Sequence, residues 1–271
     1  MYAQINHVAM TSPNWPMIAR FYEAMFGMRS STKVSRPMNA ATVGDGYVGL
    51  NINPLRDGTY GGLDHFGITV EEADGVLERA RKKFPTANIV KRPSTRPFAA
   101  FSGHDPDGNI FDLAERDKTE LKTVYAEQAA QGWNQDRYLN KYAIRTMNAE
   151  KCADFYMEVF EFKPVNVKSN APGYHMTDGR VTLSILSWSI PIFLGMSIKR
   201  PGPDHIGFKV ENIDTFKKHV DDVVGSCTYL APIPLGGNKE AEVRKKFLAE
   251  NASGKYQMCD PGATWIDVTD E

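Results

Sequence analysis

The sequence has few cysteines, no long apolar run and almost no net charge across its 271 residues. Its three cysteines, Cys152, Cys227 and Cys259, lack metal-ligand spacing and form no even disulfide framework, so we expect a cytoplasmic chain. No segment is long and apolar enough for a bilayer, and no signal-peptide pattern opens the chain. A formal net charge of -1 gives no reason to expect nucleic acid or an acidic membrane as partner. A small-molecule substrate is the partner we expect, and a homodimer stays open.

The chain consists of repeated units. Residues 5–11 alternate in hydropathy like a half-buried strand, and the apolar positions from Met17 to Phe26 recur at helical spacing. Three short strand candidates separated by Pro and Gly follow, which predicts a β-α-β-β-β unit. The same pattern restarts at Leu63 and ends with a strand at 109–115.

The second half of the sequence repeats the first. Residues 153–160 match residues 19–26 at four of eight positions, and Asp204–Glu211 nearly copies Asp64–Glu71. One such unit leaves a sheet face exposed, which a second unit covers by pairing into a curved sheet. We therefore predict four units in two pairs.

The domain prediction follows from that pairing. Residues 1–118 form an N-terminal domain of two units, and residues 137–271 form a C-terminal domain of two further units. The polar residues 119–136 connect them.

A tight turn followed by a strand closes the second unit, and a similar sequence is repeated near the C-terminus. His104–Glu115 contains Asp-Pro-Asp-Gly and then an apolar run interrupted by Asp112. In the repeated motif near the C-terminus, Asp267 is the residue equivalent to Asp112. An acid at this position either points to solvent or is held inside for a chemical purpose.

Two histidines join Asp112 in the first pair. His7 lies on the opening strand of the first unit and His65 on the opening strand of the second. If a pseudo-twofold axis relates the units, these strands face each other, and two imidazoles with one carboxylate can hold a divalent metal with positions left open. Such a metal polarises a substrate with adjacent oxygens, or binds dioxygen if it is Fe(II).

These repeats and motifs resemble the vicinal oxygen chelate superfamily, which includes glyoxalase I, bleomycin-resistance proteins, methylmalonyl-CoA epimerase and type I extradiol dioxygenases. The resemblance implies an α+β fold, with four βαβββ modules paired into two glyoxalase-like domains with cupped mixed sheets. It also implies His7, His65 and Asp112 as metal ligands. The family's carboxylate is usually Glu, so the shorter Asp112 must come closer to the metal or bind it through water.

Four modules in one chain resemble the extradiol dioxygenases, and this resemblance implies a metal-dependent dioxygenase acting on a small aromatic or enolisable substrate with adjacent oxygens. Fe(II) is the first choice of metal, with Mn, Zn or Ni as alternatives. The His-rich and Tyr-rich tail motif of extradiol ring cleavage is absent from this sequence. The alternatives are a glyoxalase-type lyase, isomerase or epimerase using the same metal, and a metal-free ligand-sequestering protein like the bleomycin-resistance proteins.

The second pair is expected to carry a degenerate site. Its equivalent positions are Tyr142, His205 and Asp267, and a neutral phenol is a poor metal ligand. His104, which precedes the turn of the first pair, is a candidate donor behind the ligands or proton shuttle.

Overall fold

The computed structural model describes residues 3–30, 40–96, 99–116, 135–167, 173–196, 198 and 200–271. They form two mixed β-sheets with helices packed between and around them, and the predicted fold class is confirmed. Among these residues, no helix combines the length and apolar character needed to cross a bilayer. The predicted connector falls almost entirely outside the described residues, so the domain boundaries stay a prediction.

The first sheet has eight strands in the order β2-β3-β4-β1-β5-β8-β7-β6. Its central strands β1 and β5 are antiparallel, and each also pairs in parallel with the closing strand of its own unit. Its elements are β1 (Ala3–Ser12), α1 (Trp15–Phe26), β2 (Arg29–Ser30), β3 (Ala41–Gly44), β4 (Gly49–Pro54), β5 (Gly62–Val70), α2 (Ala73–Lys83), β6 (Ile89–Arg96), β7 (Ala99–His104) and β8 (Ile110–Glu115).

The second sheet has seven strands in the order β10-β11-β12-β9-β13-β15-β14 and repeats the central pairing of the first. Its elements are β9 (Tyr138–Thr146), α3 (Ala149–Phe160), β10 (Lys163–Pro164), β11 (Gly173–Thr177), β12 (Thr182–Ser187), α4 (Ile190–Met196), β13 (Gly202–Lys209), α5 (Ile213–Ser226), a 3-10 turn (Thr228–Leu230), α6 (Lys239–Asn251), β14 (Tyr256–Cys259) and β15 (Trp265–Thr269).

The fourth repeat departs from the other three. Between α5 and β14, where every residue is described, the chain forms the 3-10 turn and α6, and only an isolated bridge joins Ile233 to Cys259. Asn238 caps α6 by accepting a hydrogen bond from the backbone N–H of Ala241 at 2.8 Å. A helix therefore lies where the second repeat has the edge strand β6.

Helices from each half pack against the sheet of the other half. The Phe26 ring on α1 stacks on Phe208 of β13 with centroids 3.8 Å apart. On the other side, Phe155 of α3 contacts Phe111 of β8 at 5.9 Å. Aromatic side chains of α1 and α3 therefore form part of the core between the two halves.

The Asp-Pro turns also link the two halves. The Tyr22 hydroxyl on α1 donates to Asp260 in the C-terminal turn at 3.0 Å, and the Tyr156 hydroxyl on α3 donates to Asp105 in the other turn at 3.3 Å. Each aspartate also accepts backbone N–H groups of its own turn. The turn motif thus holds a closing strand and a helix from the other half together.

Candidate metal site and its counterpart in the second sheet

The three predicted ligands lie on neighbouring strands in the middle of the first sheet. Gly67 on β5 is in register with His7 on β1 and with Asp112 on β8. His65 precedes Gly67 by two residues, and side chains two residues apart on a strand share a face. The strand order therefore brings His7, His65 and Asp112 together on one face.

The absence of a side chain at Gly67 makes room for His7. A Cβ atom placed on Gly67 would lie 2.0 Å from Cε1 and 2.2 Å from Nδ1 of the His7 ring. No carbon approaches a ring atom so closely, and His7 is buried, so its ring has little room to move. Glycine at this register position is thus a condition for the observed His7 orientation.

The ligand atoms of the trio converge on one point. His65 Nε2 lies 3.2 Å and His7 Nε2 3.9 Å from Asp112 Oδ2, and one ligand atom from each residue lies within 4.8 Å of the others. Ligands at about 2.1 Å from a metal and at right angles to each other are about 3 Å apart. Small side-chain shifts would therefore suffice for all three to bind one ion.

Hydrogen bonds at the far side of each imidazole orient the ring. His7 Nδ1 lies 2.8 Å from Asn6 Oδ1, and His65 Nδ1 lies 2.8 Å from Asp64 Oδ2. Both partners are acceptors, so each Nδ1 carries a proton, and with a metal bound each neutral ring would offer its Nε2 lone pair to the ion. Asn6 is itself held by a hydrogen bond to Thr69. This donor set fits a divalent metal.

Two further residues hold the carboxylate. Ser102 Oγ donates to Asp112 Oδ1 at 2.6 Å, and Arg92 Nη1 lies 2.8 Å from Oδ1 and 2.9 Å from Oδ2. Each carboxylate oxygen has two acceptor sites, so Oδ2 keeps one for a metal. Sequence reasoning missed both residues. Arg92 belongs to a polar edge strand with no motif around it, while Ser102 is in register with Asp112 only once β7 and β8 pair.

Without a metal, protonated His65 and ionised Asp112 form an ion pair. Burial alone would raise the pKa of Asp112, but the His65 hydrogen bond and the charges of His65 and His7 lower that pKa to about 2. Burial would lower the pKa of His65, but its hydrogen bonds to Asp112 and Asp64 raise that pKa to about 9. The proton on His65 therefore occupies the position that a metal would take.

In the described part of the chain, His104 makes no hydrogen bond to His7, His65 or Asp112. Its Nδ1 is 2.8 Å from the carbonyl oxygen of Asp105, in the turn that leads into β8. His104 follows Ser102 by two residues on β7 and so lies on the same face as that serine. Its role as a donor behind the ligands or proton shuttle stays a prediction.

The register of the second sheet corrects the predicted equivalence of Tyr142. Gly207 on β13 is in register with Lys141 on β9 and with Asp267 on β15, as Gly67 is with His7 and Asp112. The counterpart of His7 is therefore Lys141. A shift of one residue moves a strand side chain to the opposite face. Accordingly, Tyr142 is fully buried against Phe66, with ring centroids 4.8 Å apart. It does not lie on the sheet face that carries Lys141 and Asp267, which we call the second cup.

A buried ion pair occupies the position equivalent to the metal site. Lys141 Nζ lies 2.7 Å from Asp267 Oδ2, and both side chains are buried. The backbone N–H groups of Ser253 and Gly254 also donate to this carboxylate at 2.9 and 3.0 Å. The segment after α6 thus fills the second cup and saturates Asp267. The degeneracy of this second site stays a prediction, and Lys141 takes the position predicted for Tyr142.

His205 occupies the position equivalent to His65, but its ring makes different contacts. Its Nδ1 lies 2.9 Å from Asp204 Oδ2, and its ring packs on Trp265 with centroids 4.0 Å apart. Burial lowers the pKa of His205, so the ring is neutral. Its Nε2 is buried without a hydrogen-bond partner in the described part of the chain.

A separate cavity of about 370 Å³ lies between α6, the β13–β15 region and the start of β5. Leu63, Leu248, Trp265 and Arg244 are among the residues that line it. None of the three predicted ligands does. The cavity is therefore distinct from the metal-site geometry.

Comparison with family models finds one match, in the first half of the chain. Residues 4–113 match the model of the Glyoxalase/Bleomycin resistance protein/Dioxygenase superfamily. No curated protein matches the chain.

Solved structures resemble the chain over 98% of its length at 12% identity. One is the Mn(II)-bound glyoxalase from Novosphingobium aromaticivorans, with a TM-score of 0.63 and 82% of that chain covered. Another is a catechol 2,3-dioxygenase, with a TM-score of 0.61 and 86% covered. A third is the homoprotocatechuate 2,3-dioxygenase from Arthrobacter globiformis, with a TM-score of 0.60 and 78% covered.

These likenesses establish a shared fold for the whole chain. The resemblance inferred from the repeats is thereby confirmed: residues 4–113 match the model of the Glyoxalase/Bleomycin resistance protein/Dioxygenase superfamily, and a glyoxalase and a dioxygenase share the fold of the chain.

Proposed function

We propose that the chain is a metal-dependent enzyme of the vicinal oxygen chelate type, and specifically a dioxygenase, with His7, His65 and Asp112 as the metal ligands. The observation that carries the proposal is the convergence of His7 Nε2 and His65 Nε2 on Asp112 Oδ2, at 3.9 and 3.2 Å, on a single sheet face. Two imidazoles and one carboxylate on one side of an ion suit Fe(II), with Mn, Zn or Ni as alternatives.

The bound metal would supply Lewis-acid polarisation of adjacent substrate oxygens and, as Fe(II), a binding position for dioxygen. The protein's own groups have separate tasks. Asn6 and Asp64 hold the two imidazoles with Nε2 toward the substrate side. Ser102 and Arg92 fix the Asp112 carboxylate and offset its charge. His104, on the face of Ser102, is proposed as a proton donor.

Access to this site comes from one side. The His7 and Asp112 side chains are almost fully buried, whereas His65 and Arg92 keep 19% and 22% of their side-chain surface exposed. A small aromatic or enolisable substrate with neighbouring oxygens would therefore approach over His65 and Arg92. Of these four residues, only His65 and Arg92 would contact substrate groups other than the oxygens that bind the metal.

Oxygen uptake separates the dioxygenase from its first alternative. The iron-loaded wild type is expected to consume dioxygen with a catechol, and His65→Ala is expected to lose that activity. His205→Ala is the matched control, because it removes the equivalent histidine from the other sheet. Turnover of an enolisable substrate without oxygen uptake would instead support a glyoxalase-type lyase, isomerase or epimerase.

The glyoxalase-type alternative has its own support. A Mn(II)-bound glyoxalase shares this fold over 98% of the chain, and the sequence lacks the tail motif that accompanies ring cleavage. A metal-free ligand-sequestering protein is the third candidate, favoured by the ion pairs that satisfy Asp112 without a metal. For that protein, His7→Ala would leave ligand affinity largely intact.

A further inference from the structure

Arg92 has an unusual position for a residue that contacts a predicted metal ligand. It lies on the edge strand β6 and reaches Asp112 through Nη1 alone, at 2.8 and 2.9 Å from the two carboxylate oxygens. Its side chain keeps 22% of its surface exposed, whereas that of Asp112 keeps 7%. The guanidinium therefore forms part of the rim of the site, between the buried carboxylate and solvent.

Most of the hydrogen-bonding capacity of Arg92 is unused. A guanidinium carries five N–H donors, and the contacts to Asp112 engage only Nη1. Among the described residues, Nε and Nη2 donate to no protein group. Two nitrogens in a planar fork match the two oxygens of a carboxylate, and such bidentate pairs are stronger and more specific than single contacts.

The charges around the site favour an anion. Asp112 is offset by Arg92, and the only other described carboxylate in contact with the trio, Asp64, is 57% exposed and screened by solvent. A divalent ion held by two neutral imidazoles and Asp112 leaves the site positively charged overall. A neutral substrate would leave that charge and the open side of Arg92 uncompensated.

Building on the proposed function, we propose that Arg92 binds a carboxylate group of the substrate and so selects small anionic substrates whose adjacent oxygens reach the metal. The substrate class is a carboxylate-bearing diol, catechol or enolisable acid. Arg92 is then a specificity-determining residue that touches substrate through Nε and Nη2 while Nη1 holds Asp112. A purely structural Arg92 would act on Asp112 alone.

The test compares two probes that differ in charge but share the same pair of adjacent hydroxyls, 3,4-dihydroxybenzoate and 3,4-dihydroxybenzamide. Binding to the zinc-loaded protein is measured by calorimetry, because zinc holds the site without redox chemistry. We expect wild type to bind the benzoate at least tenfold more tightly than the benzamide. Arg92→Gln should lose that preference and change benzamide affinity less than threefold, and Arg92→Lys should keep part of it.

Ser102→Ala is the control for a structural role, since it removes the other hydrogen bond to Asp112 without removing a charge. We expect this variant to keep the preference for the benzoate. Equal affinity of wild type for both probes, binding of neither probe, or an equal loss for both probes in Arg92→Gln would overturn the assignment.

Zinc binding measured in the same titrations separates this inference from the proposed function. If wild type takes up zinc but shows no preference, the role of Arg92 is wrong and the metal site stands. If wild type takes up no zinc but prefers the benzoate through Arg92, the anion site stands and the metal-dependent function fails.

Discussion

Lys141 Nζ lies 2.7 Å from Asp267 Oδ2 in the second sheet, at the register position where His7 faces Asp112 in the first. An asparagine precedes each residue, Asn140 before Lys141 and Asn6 before His7. The two cups thus use one scaffold with different cations opposite the carboxylate. In the second sheet the ammonium group of Lys141 pairs with the carboxylate, and in the first sheet we propose that a metal ion does so.

This relationship predicts the behaviour of His7→Lys. A lysine ammonium has three donors and no lone pair, so the variant should bind no metal. It should still fold, because the new ammonium can pair with Asp112 as Lys141 pairs with Asp267. We expect its free energy of unfolding in chelator to lie within about 1 kcal/mol of the wild-type value, since the residue keeps a buried hydrogen-bonded partner.

His7→Ala is the matched control for that variant. It also removes the ligand but supplies no cation, and it leaves a void beside buried Asp112, so its stability in chelator should fall below that of His7→Lys. Metal content by mass spectrometry and urea midpoints measure both effects. Retention of metal by His7→Lys, or its failure to fold, would contradict the equivalence of His7 and Lys141.

The packing at Gly67 predicts a second pair of variants. Gly67→Ala places a Cβ 2.0 Å from the His7 ring, so His7 must move and metal affinity should fall at least tenfold. Gly207→Ala is the control, because its Cβ would lie 2.7 Å from the Lys141 side chain in the other cup. Both variants should be destabilised by about 1–3 kcal/mol through overpacking. Calorimetric metal titration should show reduced metal affinity for Gly67→Ala only. An equal reduction of metal affinity in both variants would contradict a metal site that includes His7.

The Lys141–Asp267 pair predicts a pH dependence of stability. Burial alone would raise the pKa of Asp267, but the Lys141 charge and the hydrogen bonds to the carboxylate lower that pKa to about 2. Because the folded-state pKa lies below the unfolded value of about 3.9, the contribution is full above that unfolded value and is lost as pH falls toward 2.

Asp267→Asn isolates this contribution. The variant leaves Lys141 buried without its charge partner, so it should be less stable than wild type above pH 5. The stability gap should narrow by about 2 kcal/mol as pH falls from 5 to 2, because wild type loses the ionised carboxylate there. Urea unfolding at several pH values measures the gap. A gap that stays constant over this range would show that the ionised pair does not stabilise the fold.

Much of the fold could be predicted because repetition constrains it. The similarity of Asp204–Glu211 to Asp64–Glu71 predicted the opening strands of two units. The Asp-Pro turns predicted the closing strands that carry Asp112 and Asp267. The helical spacing from Met17 to Phe26 and its repeat at residues 153–160 predicted two equivalent helices, and Phe26 and Phe155 of these helices pack between the halves.

The failures have two physical origins. Tyr142 was matched to His7 by chemical type, but a one-residue shift reverses the face of a strand, and the shared asparagines at positions 6 and 140 give the correct register. Arg92 contacts Asp112 across strands that are adjacent only in the folded sheet, so no local pattern marks it. The site was therefore predictable where its residues repeat.

Metal analysis of protein purified without chelator tests the central claim most directly, on wild type, His65→Ala and His205→Ala. The account predicts close to one divalent metal per chain in wild type and in His205→Ala, and loss of that metal in His65→Ala. Iron or manganese would agree with the dioxygenase, and zinc or nickel with the lyase or isomerase alternative. Wild type that carries no metal and acquires none on incubation, or equal loss in both variants, would contradict a metal site formed by His7, His65 and Asp112.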